Sequence, residues 1–415
     1  MSRTFKSVLT FLIFNCLAAA GLAETQVEIS GQVRVRNEVD EKTFGHDYYT
    51  RSFQLLRTRV AVNATVDSNA HVFVQFQDSR MFGDRDQFGN LQSGTLNDGE
   101  NVDIHQAYIQ VDRVAVDGVG GKAGRFEFNL GNQRVFGAVG WSNVGRSWEG
   151  VQIWYEHSKY KVTGFYLKVF EKNHVRFHQD YDIYGGVLAI ESLNLELFGI
   201  YEWDAQPLLG SNALNRISFG GYLKRQHHRF DVEVNAVYQT GDRPEVDIAA
   251  YLATAEIGYT FAGAGKARMA LGVDYASGED RFEHDKIKSY DNLYYTGHKF
   301  RGHMDYFIAS NTAGLMDLML RGKVDPAEGW VFYTDIHYFM TAKDYWDPLE
   351  DVYTSDIGIE IDASVATTRI KGIKFATGVS VFLPQESFVR TYPGKSRLTE
   401  SDPTWWFYNQ ATVDF

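Results

Sequence analysis

From Val27 to Arg36 the chain alternates: Glu28, Ser30, Gln32, Arg34 and Arg36 share one face, and Val27, Ile29, Val33 and Val35 the other. Leu56 to Val66 repeats the pattern, with Arg57, Arg59 and Asn63 set against Thr58, Val60, Val62 and Ala64. A period of two means strands with one apolar and one polar side. The same signature predicts further strands near 72–77, 102–111, 121–129, 147–156, 160–170, 181–190, 193–203, 215–225 and 229–240. It continues near 248–260, 266–277, 312–322, 329–341, 354–362, 372–382 and 404–415, which brings the total to eighteen. Most come close to the roughly 9–11 residues with which a tilted strand crosses a bilayer.

Connection lengths test this reading independently. Short links at 67–69, 157–159, 191–193, 226–228, 262–266, 324–329 and 364–372 alternate with longer ones. The longer ones fall at 39–52, 80–100, 130–146, 171–180, 204–214, 241–247, 278–311, 342–353 and 383–403. Only 112–120 is awkward, being rather long for a turn. The alternation predicts short periplasmic turns and long extracellular loops. The last strand places Trp405, Phe407, Asn409, Ala411, Val413 and Phe415 on one face, and resembles the C-terminal signal of bacterial outer-membrane barrels. The expected fold is therefore all-β: a single transmembrane antiparallel β-barrel of about 18 strands. In lipid every backbone polar group must be paired, so such a sheet has to close on itself. A barrel of that size leaves an aqueous channel, and function belongs on inward polar residues and in-folded loops.

Composition sharpens the class. Aromatic residues reach 15%, and 38 glycines stand against seven prolines, a balance that favours strands and turns. Residues 1–23 carry Arg3 and Lys6, an apolar run from Val8 to Ala20, and small Gly21 and Ala23. They read as a removable signal peptide, leaving 24–415 as the barrel. Cys16 lies within that run without small residues before it, so no lipoprotein anchor is expected. Loss of the segment removes two cations and the sole cysteine, taking the formal charge from −12 to −14. No later stretch approaches the ~20 apolar residues of a membrane helix, which excludes a helix bundle.

The densest chemistry lies in 102–155. It holds His105-Gln-Ala-Tyr108, Gly124-Arg125, Gly131-Asn-Gln-Arg134, Trp141-Ser-Asn143-Val-Gly145-Arg146 and Glu149-Gly150. Together with Leu56-Arg-Thr-Arg59, Gln75-Phe-Gln77-Asp78-Ser-Arg80, Asp274-Tyr-Ala-Ser277-Gly278 and Gly358-Ile-Glu360-Ile-Asp362, these segments resemble the alginate-export family of outer-membrane barrels. Each motif is loose alone; their order and spacing carry the resemblance, although Glu149 stands where the family more usually has Asp. The resemblance implies an arginine-lined constriction, formed by Arg57, Arg59, Arg125, Arg134 and Arg146, that passes a uronate polymer or acidic oligosaccharide. Guanidinium groups suit that task, because they stay charged and offer a planar fork to carboxylates. The competing reading is that these arginines brace the wall through Asp78, Asp103 or Glu127. The loop 130–146 is expected to fold inward, with Arg125 on the wall.

Other chemistry is thin. Gly118–Gly124 superficially resembles a phosphate loop but has no following helix, and reads as a turn. No Ser/His/Asp trio or nucleophile elbow can be assembled, so no enzyme and no cofactor is expected. His227-His228, His174 with His178, and His298 with His303 lack further ligands for a metal. Asp84, Asp86, Asp98 and Glu100 are weak Ca²⁺ candidates that read more simply as a solvated loop surface. Tyr294, Tyr295 and Tyr306 are candidates for stacking on sugar rings. Expected partners are outer-membrane lipid and lipopolysaccharide, an anionic saccharide and, for an exporter, a periplasmic feeder; no nucleic acid is expected. A general porin and a plugged barrel with a binding or enzymatic role remain the alternatives.

Overall fold

A computed structural model describes residues 25–42, 50–66, 69–82, 99–114, 116–170, 180–205, 213–243, 246–263, 265–280, 285–347, 350–391 and 401–415. The strands are β1 (Thr25–Glu41), β2 (Arg51–Val66), β3 (Ala70–Phe82), β4 (Gly99–Val111), β5 (Val119–Phe126), β6 (Trp148–His157), β7 (Tyr160–Phe170), β8 (Tyr181–Ile190) and β9 (Leu195–Asp204). They continue as β10 (Leu214–His227), β11 (Phe230–Arg243), β12 (Val246–Thr260), β13 (Arg268–Ala276), the two-residue β14 (Lys286–Ile287) and β15 (Leu315–Val324). The last are β16 (Trp330–Asp347), β17 (Val352–Thr367), β18 (Lys374–Pro384) and β19 (Thr404–Asp414). Each long strand pairs antiparallel with its chain neighbour, while β14 lies parallel against β12 and leaves β13 to pair with β15. β19 returns to β1, so eighteen strands form a closed antiparallel barrel. At the seam Phe415 and Gly31 exchange both backbone hydrogen bonds, at 3.0 and 2.7 Å.

Burial runs opposite to that of a water-soluble protein. On β1, Val27 and Ile29 are 50% and 66% exposed, whereas Arg34 and Arg36 are 4% and 2% exposed. Apolar side chains face outward and charged ones inward, the arrangement a strand adopts when its solvent is lipid.

Connections at one end are short. After β4, Val114 bridges Val116 there. At the other end two connections expected to be long are mostly strand. β11 and β12 stay paired out to Arg243 and Val246, and β16 and β17 out to Asp347 and Val352. The loops were misread because polar residues such as Asp242 and Asp247 occupy strand tips, where no apolar side is needed. The expected strand 121–129 also ends earlier, at Phe126, and the Gly118–Gly124 stretch is a turn only at its start before β5 begins at Val119.

The lumen is not wholly polar. The connections 127–147 and 285–314 turn into it, and each is seated by apolar packing. Phe128, Leu130, Val135 and Phe136 join Phe126, Trp148, Phe165, Leu167, Ile183, Phe198 and Ile200 in one cluster on the inner wall. Met304 and Phe307 join Phe339, Ile357, Phe382 and Trp406 in another. Each such buried side chain contributes about 1.5–3 kcal/mol, so both loops are held as parts of the folded body.

Candidate functional site

The first loop leaves β5, crosses the lumen and is tied down at both sides. On the near wall, Gly131 N donates to Glu196 at 2.8 Å and Asn132 Nδ2 donates to Glu233 at 2.6 Å. Arg134 makes a two-pronged pair with Asp274, one limb at 2.9 Å, and both side chains are buried. On the far wall the contacts run from strand side chains to loop carbonyls. Arg34 donates to Gly140 O at 2.9 Å and Ser142 O at 3.0 Å, and Arg57 donates to the same two oxygens at 3.1 and 3.0 Å. Gln77 donates to Val144 O at 2.6 Å and Ser79 to Asn143 O at 2.9 Å. Asn143, fully buried, donates back to Leu56 O and Arg80 O. Gly145 adopts φ +79°, and a Cβ there would stand 2.8 Å from Arg59 Nη2, so glycine suits this close turn.

The second loop joins the first inside the barrel. Gly137 N donates to Tyr294 O at 2.9 Å, Tyr294 N to Val135 O at 3.0 Å, and Thr296 N to Gln133 O at 3.0 Å. Arg146 fastens the junction, donating to Tyr294 O and, at 3.4 Å, to Gly137 O and Tyr295 O. Trp141 is sandwiched between the Arg36 guanidinium, 4.0 Å from its ring, and His298, stacked at 4.2 Å. The second loop reaches the wall through Met304 N on Glu360 at 2.8 Å and His303 N on Asp362 at 3.4 Å. Burial first, then neighbouring His298 and His337, push the His303 imidazole down to about 4, against the pull of Asp362 and Asp305.

The arginines expected to line a constriction therefore divide. Arg57 and Arg146 sit at the loops, bonded to carbonyls. Arg59 is also inward but compensated: its Nη1 meets Glu127 at 3.1 Å and its Nε meets Gln77 at 2.6 Å. Burial works against the Glu127 carboxylate, yet the bonds from His105 and Arg59 hold it below its usual range. Arg134 is spent on Asp274 and lies 4.0 Å over the Phe300 ring. Arg125 does not line the lumen. Phe126 and Lys122 face inward on β5, so alternation sends Arg125 outward, in register with Glu149, to which it bonds at 3.1 Å. Arg34 was missing from the expected set, although its place on the polar face of β1 was visible.

Asp84, Asp86 and Asp98 lie outside the described residues, as does the Glu100 side chain. No group of three or more His, Cys, Asp or Glu among the described residues is placed to hold a metal. Tyr294 and Tyr295 stack on no open face: Tyr294 lies against Phe136 and Trp148, and Tyr295 is buried with its hydroxyl on Ile308 O at 2.6 Å. Tyr306 likewise packs against Phe382 and Phe307. Their bulk serves to seat the second loop.

Comparison with known proteins places this architecture. The family model for alginate export matches residues 25–357. The chain belongs to the alginate export family. Solved structures share the fold at low identity. OccK3 (OpdO) of Pseudomonas aeruginosa aligns with TM-score 0.59 and 12% identity, covering 94% of this chain and 96% of that one. A BenF-like porin from Pseudomonas fluorescens Pf-5 gives 0.60 and 9%, covering 94% and 98%. OccAB1 of Acinetobacter baumannii gives 0.59 and 11%, covering 94% and 96%. No curated protein matches. Family and fold together identify this member of the alginate export family as a channel of the bacterial outer membrane.

Proposed function

We propose that the channel passes acidic saccharides by passive diffusion, with the long-loop end outside the cell. The observation that carries this reading is the charge left over where the loops cross the lumen. Arg34, Arg57 and Arg146 are bonded to carbonyl oxygens and an amide side chain, and none meets a carboxylate at ion-pair distance among the described residues. Carbonyl partners orient a guanidinium without neutralising it. The chain is acidic overall, at −12, but this positive region is local and enclosed, where screening is weaker than at an open surface. Arginines spaced along a pore favour anions while leaving each contact weak enough for release.

The test is swelling of liposomes containing the refolded channel. A uronic acid is expected to enter faster than a neutral hexose of the same size, with the gap closing at high salt. Equal rates at low salt would defeat the acidic-solute reading. Two loops packed across the lumen also bear on the plugged-barrel alternative, and correctly folded protein without any conductance would favour it.

A further inference from the structure

Between the joined loops and the inner wall of β16, β17 and β19 lies a cavity of about 580 Å³. That volume falls in the range of small-molecule sites. Lys299 projects into it from the second loop and is exposed there. Its ammonium donates to Asn132 O at 3.0 Å and forms no ion pair among the described residues. Glu233, the acid that acts on it most strongly, is already held by Asn132 Nδ2 at 2.6 Å and Lys224 at 2.9 Å. An ammonium carries three donors, so Lys299 keeps its charge and spare hydrogen bonds for a ligand.

The rest of the lining limits what that ligand can be. Asp335 and Asp362 face the same cavity from β16 and β17, with Gln133, Ser364 and Tyr333 beside them. Asp362 is buried, its Oδ1 without a hydrogen bond but 3.8 Å from His303 Nδ1, whereas Asp335 is partly exposed. Carboxylates lining the same cavity as a lone ammonium oppose a compact, multiply charged anion such as phosphate. They suit a solute whose carboxylates are spaced apart, one to a ring, among several hydroxyl donors. Trp141 offers no stacking face, because it is already covered by Arg36 and His298.

We propose that this cavity is a binding subsite for a short acidic saccharide, in which Lys299 takes the carboxylate of a uronic acid unit while Asp335 accepts hydrogen bonds from its hydroxyls. The proposal rests on the acidic-solute reading above and adds to it a specific recognition point. The channel-wide preference for anions comes from Arg34, Arg57 and Arg146; the discrimination of a sugar acid from a simple anion comes from this cavity.

The experiment is single-channel recording of the full chain in a planar bilayer, with trigalacturonate, maltotriose or phosphate added. Trigalacturonate is expected to interrupt the current at lower concentration than maltotriose, and phosphate not to interrupt it. Lys299→Gln should raise the half-blocking concentration of trigalacturonate about tenfold, the factor that about 1.4 kcal/mol supplies. Maltotriose should be unaffected, and Lys299→Arg should restore most of the block. Unchanged trigalacturonate block in Lys299→Gln, or block by phosphate at the same concentrations, would overturn the subsite. Reversal potential in a KCl gradient is read on the same channels. It should stay anion-selective in Lys299→Gln, so a failure of the subsite is distinguishable from a failure of the acidic-solute reading.

Discussion

Charge compensation separates the arginines more sharply than their positions in the sequence. Arg57 is bonded to carbonyls and to Gln32, whereas Arg125 and Arg134 meet carboxylates. Arg57→Ala should therefore lower the anion-to-cation permeability ratio by about two- to fivefold, the range that ~0.5–1 kcal/mol supplies. Arg125→Ala should leave the ratio unchanged, because that side chain faces away from the lumen. Arg134→Ala should act on stability instead. It strands Asp274 in a buried site, a defect of about 3–5 kcal/mol that a urea titration of the refolded barrel would register. The presence of these arginines was legible in the sequence, and so was the inward direction of Arg34, Arg57 and Arg59. Their partners were not, because Arg57 bonds atoms 83 and 85 positions away that only the folded loop brings near.

At the level of elements, the inward course of the first loop had a readable signal and that of the second was missed. Strands β7 to β9 lose their alternation: Phe165, Leu167, Ile183, Phe198 and Ile200 are apolar on the inner face as well. A sheet covered on both sides reads as nearly continuous hydrophobic sequence, and here the inner cover is the loop. The two loops meet so closely at Gly137 that a Cβ there would collide with Thr296 Oγ1. Gly137→Ala should part them, and single-channel recording should show a larger or noisier conductance. Replacement of 131–145 by a short Gly-Ser linker should enlarge it further. Acid should loosen the same region through His303. Its folded value of about 4 lies below the ordinary 6.5, so the folded state favours the neutral ring. That contribution is complete above about pH 6.5 and is lost as the pH falls towards 4. Carboxylates titrate in the same window, so the informative quantity is the difference in urea midpoint between the wild type and His303→Gln, which should narrow as the pH falls from 7 to 4.

At the scale of the molecule, the barrel was the most legible feature because lipid forces it. Every strand must expose an apolar row outward and every backbone group must be paired, so eighteen alternating segments with a final aromatic strand leave few other solutions. The interior obeys no comparable rule. Water, loops or ions can each satisfy a polar inner face, which is why the paired loops and the Lys299 cavity emerged only from the structure. The whole-molecule charge was misleading in the same way: −12 sums the entire chain, whereas at the crossing point Arg34, Arg57 and Arg146 are bonded to carbonyls and form no ion pair among the described residues. The most direct test of this account is the reversal potential of the wild-type channel in a tenfold KCl gradient across a planar bilayer. A potential with the sign of chloride preference, reduced in Arg34→Ala/Arg57→Ala, is the predicted result. A potential with the sign of potassium preference in the wild type would contradict it.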